Sequence, residues 1–122
     1  MKFQIKTLLA IAGFLLTIQV AFAQETVSLN QIPGEFEETE LSLKAGKAYV
    51  FEVSNVGIDH EVGFVIAPKG KLEQKDHIKN AYLTKTIKDG EMASSNEVIL
   101  EKGEYVYFCP LNPTPQYTLV VE

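Results

Sequence analysis

The sequence predicts an all-β fold, an antiparallel sandwich or barrel of about seven short strands. Apolar residues recur at every second position after residue 24, with little sign of a helical period. Between the alternating runs stand short turns that carry glycine or proline.

In chain order, residues 26–29 form a first strand, which Pro33-Gly34 interrupts, and residues 39–43 form a second. Residues 47–53 place Tyr49, Phe51 and Val53 on one face and Ala48, Val50 and Glu52 on the other, as a half-buried strand requires. Val62, Phe64 and Ile66 repeat the pattern after His60, with Glu61, Gly63 and Val65 opposite. Residues 69–80 are charged and read as a surface excursion with a turn of helix. Residues 98–100 read as strand, Tyr105, Tyr107 and Cys109 share one face of the next, and residues 117–121 close the domain. Ala45-Gly46 and Lys102-Gly103 each separate two strand patterns, as short hairpin connections do.

The N-terminus reads as an address. Lys2 and Lys6 precede an uncharged apolar run at residues 8–20, and Ala21-Phe22-Ala23 offers small residues at the two positions a signal peptidase reads. That run is 13 residues long, whereas a membrane span needs roughly 20. We therefore expect a signal peptide at residues 1–23 and one exported domain at 24–122, periplasmic or secreted, with no membrane span after cleavage. Gln24 follows the cut, so no cysteine is placed there for a lipid anchor. Cleavage leaves nine lysines against 16 acidic residues, a net charge of −7, and the chain has no arginine. Nucleic-acid binders carry a basic face, so that class is set aside.

Cys109 is the only cysteine, which excludes an intramolecular disulfide. An unpaired thiol in an oxidising compartment calls for burial, a metal or a partner thiol. Glu35, Glu37, Glu38 and Glu40 read as a solvated acidic edge. No Gly-x-Ser-x-Gly element or phosphate-cradling loop is present, no zinc set has matching spacing, and the chain is not expected to be an enzyme.

The segment Gly103-Glu104-Tyr105-Val106-Tyr107-Phe108-Cys109, the proline-rich turn after it and the closing strand Tyr117-Thr118-Leu119-Val120-Val121 together resemble the C-terminal third of a plastocyanin-like cupredoxin. His60 precedes Cys109 by 49 residues, similar to the separation of the first histidine and the cysteine in that family. The resemblance spans about residues 36–122 and implies a Greek-key β-sandwich with copper at one end and electron transfer as its role. A trigonal set of two imidazoles and a thiolate, with a weak axial ligand, suits that chemistry. Carried over residue by residue, His60 matches the first histidine and Cys109 the thiolate. Asn112 stands where the second histidine is often found, and Gln116 matches an axial ligand.

The loop Pro110-Leu111-Asn112-Pro113-Thr114-Pro115-Gln116 holds neither histidine nor methionine, so the trigonal plane is one imidazole short. His77 and Met92 are further candidate donors from elsewhere in the chain. The rival expectation is a metal-free binding module that uses the stiff proline loop, with Leu111 and Tyr117 beside it, to contact a docking or redox protein partner. The signal-peptide reading predicts that the exported protein begins at Gln24. Mass spectrometry of the extracytoplasmic product checks it, and an intact Met1 terminus contradicts it.

Overall fold

A computed structural model describes residues 24–122; the expected signal peptide, residues 1–23, lies outside the described residues. Nine strands follow in order among them: β1 (Glu25–Ile32), β2 (Glu35–Phe36), β3 (Glu40–Leu43), β4 (Ala48–Asn55), β5 (Val65–Pro68), β6 (Met92–Ser94), β7 (Val98–Ile99), β8 (Gly103–Phe108) and β9 (Tyr117–Val121). One sheet has the order β3-β9-β8-β5 and the other β2-β1-β4-β6, with β7 pairing β4 farther along the same edge. Two single turns of 3₁₀ helix, Gln74–Asp76 and Lys79–Ala81, occupy the excursion between β5 and β6. No helix among the described residues is long and apolar enough to cross a membrane.

The alternation read from residues 47–53 becomes the central strand β4, which buries Tyr49, Phe51, Val53 and Asn55 in strict period two. From the facing sheet, Ile66, Tyr107, Leu119 and Val121 complete the core. Phe36 sits where the sheets meet. Its ring lies edge-on to Phe64, Tyr107 and Tyr117 at centroid distances of 5.9, 5.5 and 5.9 Å, within the range favoured by aromatic quadrupoles. The phenols of the core and of partly buried Tyr117 each find a backbone partner. Tyr107 donates to Glu38 O at 2.7 Å, Tyr49 accepts from Lys44 N at 2.8 Å, and Tyr117 accepts from Phe36 N at 3.2 Å.

Three expectations are corrected. Pairing is not antiparallel throughout, because β1 runs parallel to β4 and β9 parallel to β3. Nor do Ala45-Gly46 and Lys102-Gly103 close hairpins. The first carries the chain from β3 to β4 and the second from β7 to β8, each time across the sandwich to the other sheet. Crossing lets both flanking strands press their apolar faces into one core, and it brings strands beside partners distant in sequence. The two crossings are tied together where Gly46 N donates to Leu100 O at 3.0 Å. The strand expected from Val62 also starts later. Val62 exchanges backbone bonds of 3.0 and 3.1 Å with Ile87, and only at Val65 does the chain join β8.

Burial pushes the Tyr107 phenol well above its ordinary value of 10.0, with the Glu38 carboxylate adding to the effect. A raised phenol means that the fold favours the neutral form. Its contribution is therefore complete below pH 10 and is lost as pH climbs beyond it. Tyr107→Phe is predicted to cost about 1–2 kcal/mol at neutral pH, because Glu38 O loses its donor. It should also make the alkaline loss of stability shallower than in the parent. Urea melts at neutral and alkaline pH check both outcomes.

Candidate functional site

Cys109 follows the last residue of β8 and is buried, 2% exposed. Its sulfur accepts two backbone N–H groups, from Asn112 at 3.2 Å and from Gly63 at 3.4 Å. Its own N–H donates to Thr114 Oγ1 at 3.1 Å, and that hydroxyl donates to Pro115 O at 3.0 Å. The loop is thus folded back on itself. Pro110, Pro113 and Pro115 suit such a turn because each fixes φ and brings no N–H that would need a partner.

Asn112 is 5% exposed, and its amide turns toward the β1–β2 hairpin. Nδ2 donates to Gln31 Oε1 at 3.1 Å and to Ile32 O at 3.0 Å, while Oδ1 accepts from Gly34 N at 2.9 Å. Both amide hydrogens are therefore used. Gln31, fully buried at the far end of β1, donates through Nε2 to Gly63 O at 3.0 Å. These contacts close a ring: Gly63 to Cys109, Cys109 to Asn112, Asn112 to Gln31, and Gln31 back to Gly63. The turn that receives the Asn112 amide needs Gly34, whose φ of 77° lies in the left-handed region.

His60 lies elsewhere. It is exposed, its Nδ1 stands 3.0 Å from Glu61 O, and it borders an open hollow of about 450 Å³ with Asp59, Glu61, Lys88 and Asp89. The loop carrying it is positioned by Asn55, whose buried amide donates to His60 O and Ile87 O, each at 3.1 Å, and accepts from Ile58 N at 3.0 Å. Gln116 is exposed just before β9.

The other two candidate donors are also accounted for. His77 Nε2 donates to Leu72 O at 3.0 Å, because that carbonyl can only accept, and its Nδ1 lies 2.7 Å from the Tyr82 hydroxyl. Its ring packs edge-on against Tyr82 and Phe108, which makes it a clasp on the excursion. Met92 is half exposed on the sheet edge, opposite Ser54.

Of the four residues expected around one ion, the structure brings together Cys109 and Asn112. They meet through the Asn112 backbone N–H, not through its amide. Gln31 and Gly63 complete that constellation. Neither is visible as a site residue in the sequence, since a glutamine at an inward position of a strand is the only signal. Beside the loop, Gly63, Phe64, Tyr82, Leu83, Pro110 and Leu111 line most of a second hollow of about 300 Å³, and Leu111 is 50% exposed at its rim.

No protein-family model and no curated protein sequence matches the chain. Solved structures do. Auracyanin A of Chloroflexus aurantiacus, described as a "blue" copper protein, superposes with a TM-score of 0.66 at 16% identity over 82% of this chain and 100% of its own. Auracyanin B gives a TM-score of 0.67 at 19% identity, over 86% of this chain and 93% of its own. A reduced Cu(I) form of an amicyanin variant gives 0.51 at 21%, over 80% and 82%. The chain has a cupredoxin-like fold.

A cupredoxin-like fold invites the question whether these donors fit a type 1 copper centre, which takes two imidazoles and a thiolate. They do not. Cys109 supplies one sulfur; the amide at the position matched to the second histidine is bonded to three backbone and side-chain partners on the hairpin. Of the two imidazoles, exposed His60 borders a different hollow, and the ring nitrogens of His77 face Leu72 O and the Tyr82 hydroxyl. Among the described residues no three His, Cys, Asp or Glu side chains form a group that could hold a metal.

Proposed function

We propose that this chain is an exported, non-enzymatic cupredoxin-like protein that works as a metal-free docking module. Its working surface is the proline loop around Leu111 and the apolar hollow beside it. The observation that carries this reading is the bonding of Asn112. At the position where the copper reading needs a second imidazole stands an amide with both hydrogens and its oxygen engaged by the β1–β2 hairpin.

The loop has the properties of a recognition surface. Three prolines and the Cys109–Thr114 bond leave few conformations to lose on binding. Leu111 projects half exposed beside Pro110 in a chain of strongly acidic composition. The hollow it borders admits an apolar side chain of a protein partner, and Lys85 is the one charged residue in its lining.

The copper reading starts from the resemblance at residues 103–109 and draws support from the blue-copper and Cu(I) descriptions of the structural neighbours; it predicts copper uptake, and the docking reading predicts none. Residues 24–122, reduced and titrated with Cu(I) or Cu(II), should show no intense thiolate-to-copper absorption and no rise in Tm. A strong band lost in Cys109→Ala, with copper raising Tm as ligand linkage requires, overturns the docking reading and restores electron transfer. A photo-crosslinker at position 111 should capture a partner in the export compartment that one at exposed Ile99 does not. Identical capture from both positions counts against the loop as the docking surface.

A further inference from the structure

The ring Gly63–Cys109–Asn112–Gln31 joins three separate parts of the chain at one end of the sandwich. Gln31 belongs to the end of strand β1, Gly63 to the segment leading into β5, and Cys109 and Asn112 to the exit from β8. Gln31 and Asn112 are 0% and 5% exposed, and Cys109 is 2% exposed. Buried amides of this kind are costly to leave without a partner, so the ring has a strong preference for one arrangement. Two of its bonds end on sulfur, a weak acceptor. The two amide bonds, Asn112 to Gln31 and Gln31 to Gly63, are therefore its firmer half.

Leu111 stands between Cys109 and Asn112, both of which point inward. Its outward position is set by those neighbours, and no bond of its own is required. The three Asn112 side-chain bonds also tie the loop to Gln31, Ile32 and Gly34 across the end of the molecule. Without them the loop keeps its internal Cys109–Thr114 bond but loses its attachment to the hairpin.

We infer that Asn112 is the positioning residue of this end: its amide locks the Leu111 loop onto the β1–β2 hairpin and holds that loop closed over the Cys109 thiol. The inference rests on the reading of the loop as a docking surface and assigns that surface its lock. It also gives the unpaired cysteine a protector. An open loop exposes the sulfur; a locked loop hides it.

The test uses the metal-free protein, residues 24–122, and no partner, so its result is independent of whether the loop docks anything. Asn112→Asp keeps the size and the acceptor for Gly34 but removes both donors to Gln31 and Ile32. Gln31→Leu removes the ring from the other side while leaving the Asn112 bonds to Ile32 and Gly34. An aromatic disulfide reagent reports the thiol: the Cys109 thiolate attacks its S–S bond, a mixed disulfide forms and a coloured arylthiolate leaves. Under native conditions the parent should react slowly. Asn112→Asp should react roughly tenfold faster or more, since local opening governs access. Gln31→Leu should fall between the two. Amide hydrogen exchange should rise in step at residues 31–34 and 110–116 and stay at the parent level in β4. Where Asn112→Asp fails to fold, Gln31→Leu decides alone. A thiol as unreactive as the parent's in the folded variants, or exchange that rises in β4 as much as at the loop, overturns the inference.

Discussion

A ring of hydrogen bonds around one sulfur ties the two sheets together at the end of this sandwich, and the rest of the site depends on it. Cys109 accepts from Gly63 and Asn112, and the amides of Asn112 and Gln31 return the connection to Gly63. Each of the two amide bonds contributes on the order of 1 kcal/mol, and the two to sulfur are weaker. Their weight lies in what their loss would leave behind, since Gln31 and Asn112 are buried with no solvent to replace a missing partner. The loop conformation, the concealment of the thiol and the outward placement of Leu111 are consequences of the same closed circuit.

The fold supplies the frame for that circuit. β1 lies parallel to β4 in a register that places Gln31 beside Asn55. The two residues end the apolar faces of their strands and turn polar side chains into the core. Asn55 organises the segment from Ile58 to His60, and Gln31 holds Gly63 and the proline loop. Two adjacent amides thereby set both loops at this end. A cupredoxin-like sandwich is recovered with the interior of its cysteine end filled by amide contacts among residues of the chain itself.

Much of the fold is legible in the sequence because period-two burial is strong in β4 and β9, and a long alternating run leaves a clear signature. The strands Glu35–Phe36 and Met92–Ser94 are too short to show a period, so they escape notice. The crossings at Ala45-Gly46 and Lys102-Gly103 are also hidden, since a turn dipeptide does not say whether the next strand stays in the same sheet. The site was legible only in part. Cys109 announces itself by being single and Asn112 by standing in the ligand loop, but which way the Asn112 amide points depends on Gln31, 81 residues away. His60 stands out in the sequence by its spacing from Cys109. The chain takes its sulfur contact at Gly63 instead, because Val62 is drawn into the core against Ile87 and carries the backbone past the thiol.

The central claim is that protein hydrogen bonds, and not a metal, complete the cysteine end. A crystal structure of residues 24–122 grown with equimolar copper, with anomalous scattering collected at the copper edge, tests it most directly. The account predicts no anomalous peak at Cys109 Sγ, with the Asn112 amide still bonded to Gln31, Ile32 and Gly34. A copper ion on that sulfur, with the amide released from the hairpin, would contradict it.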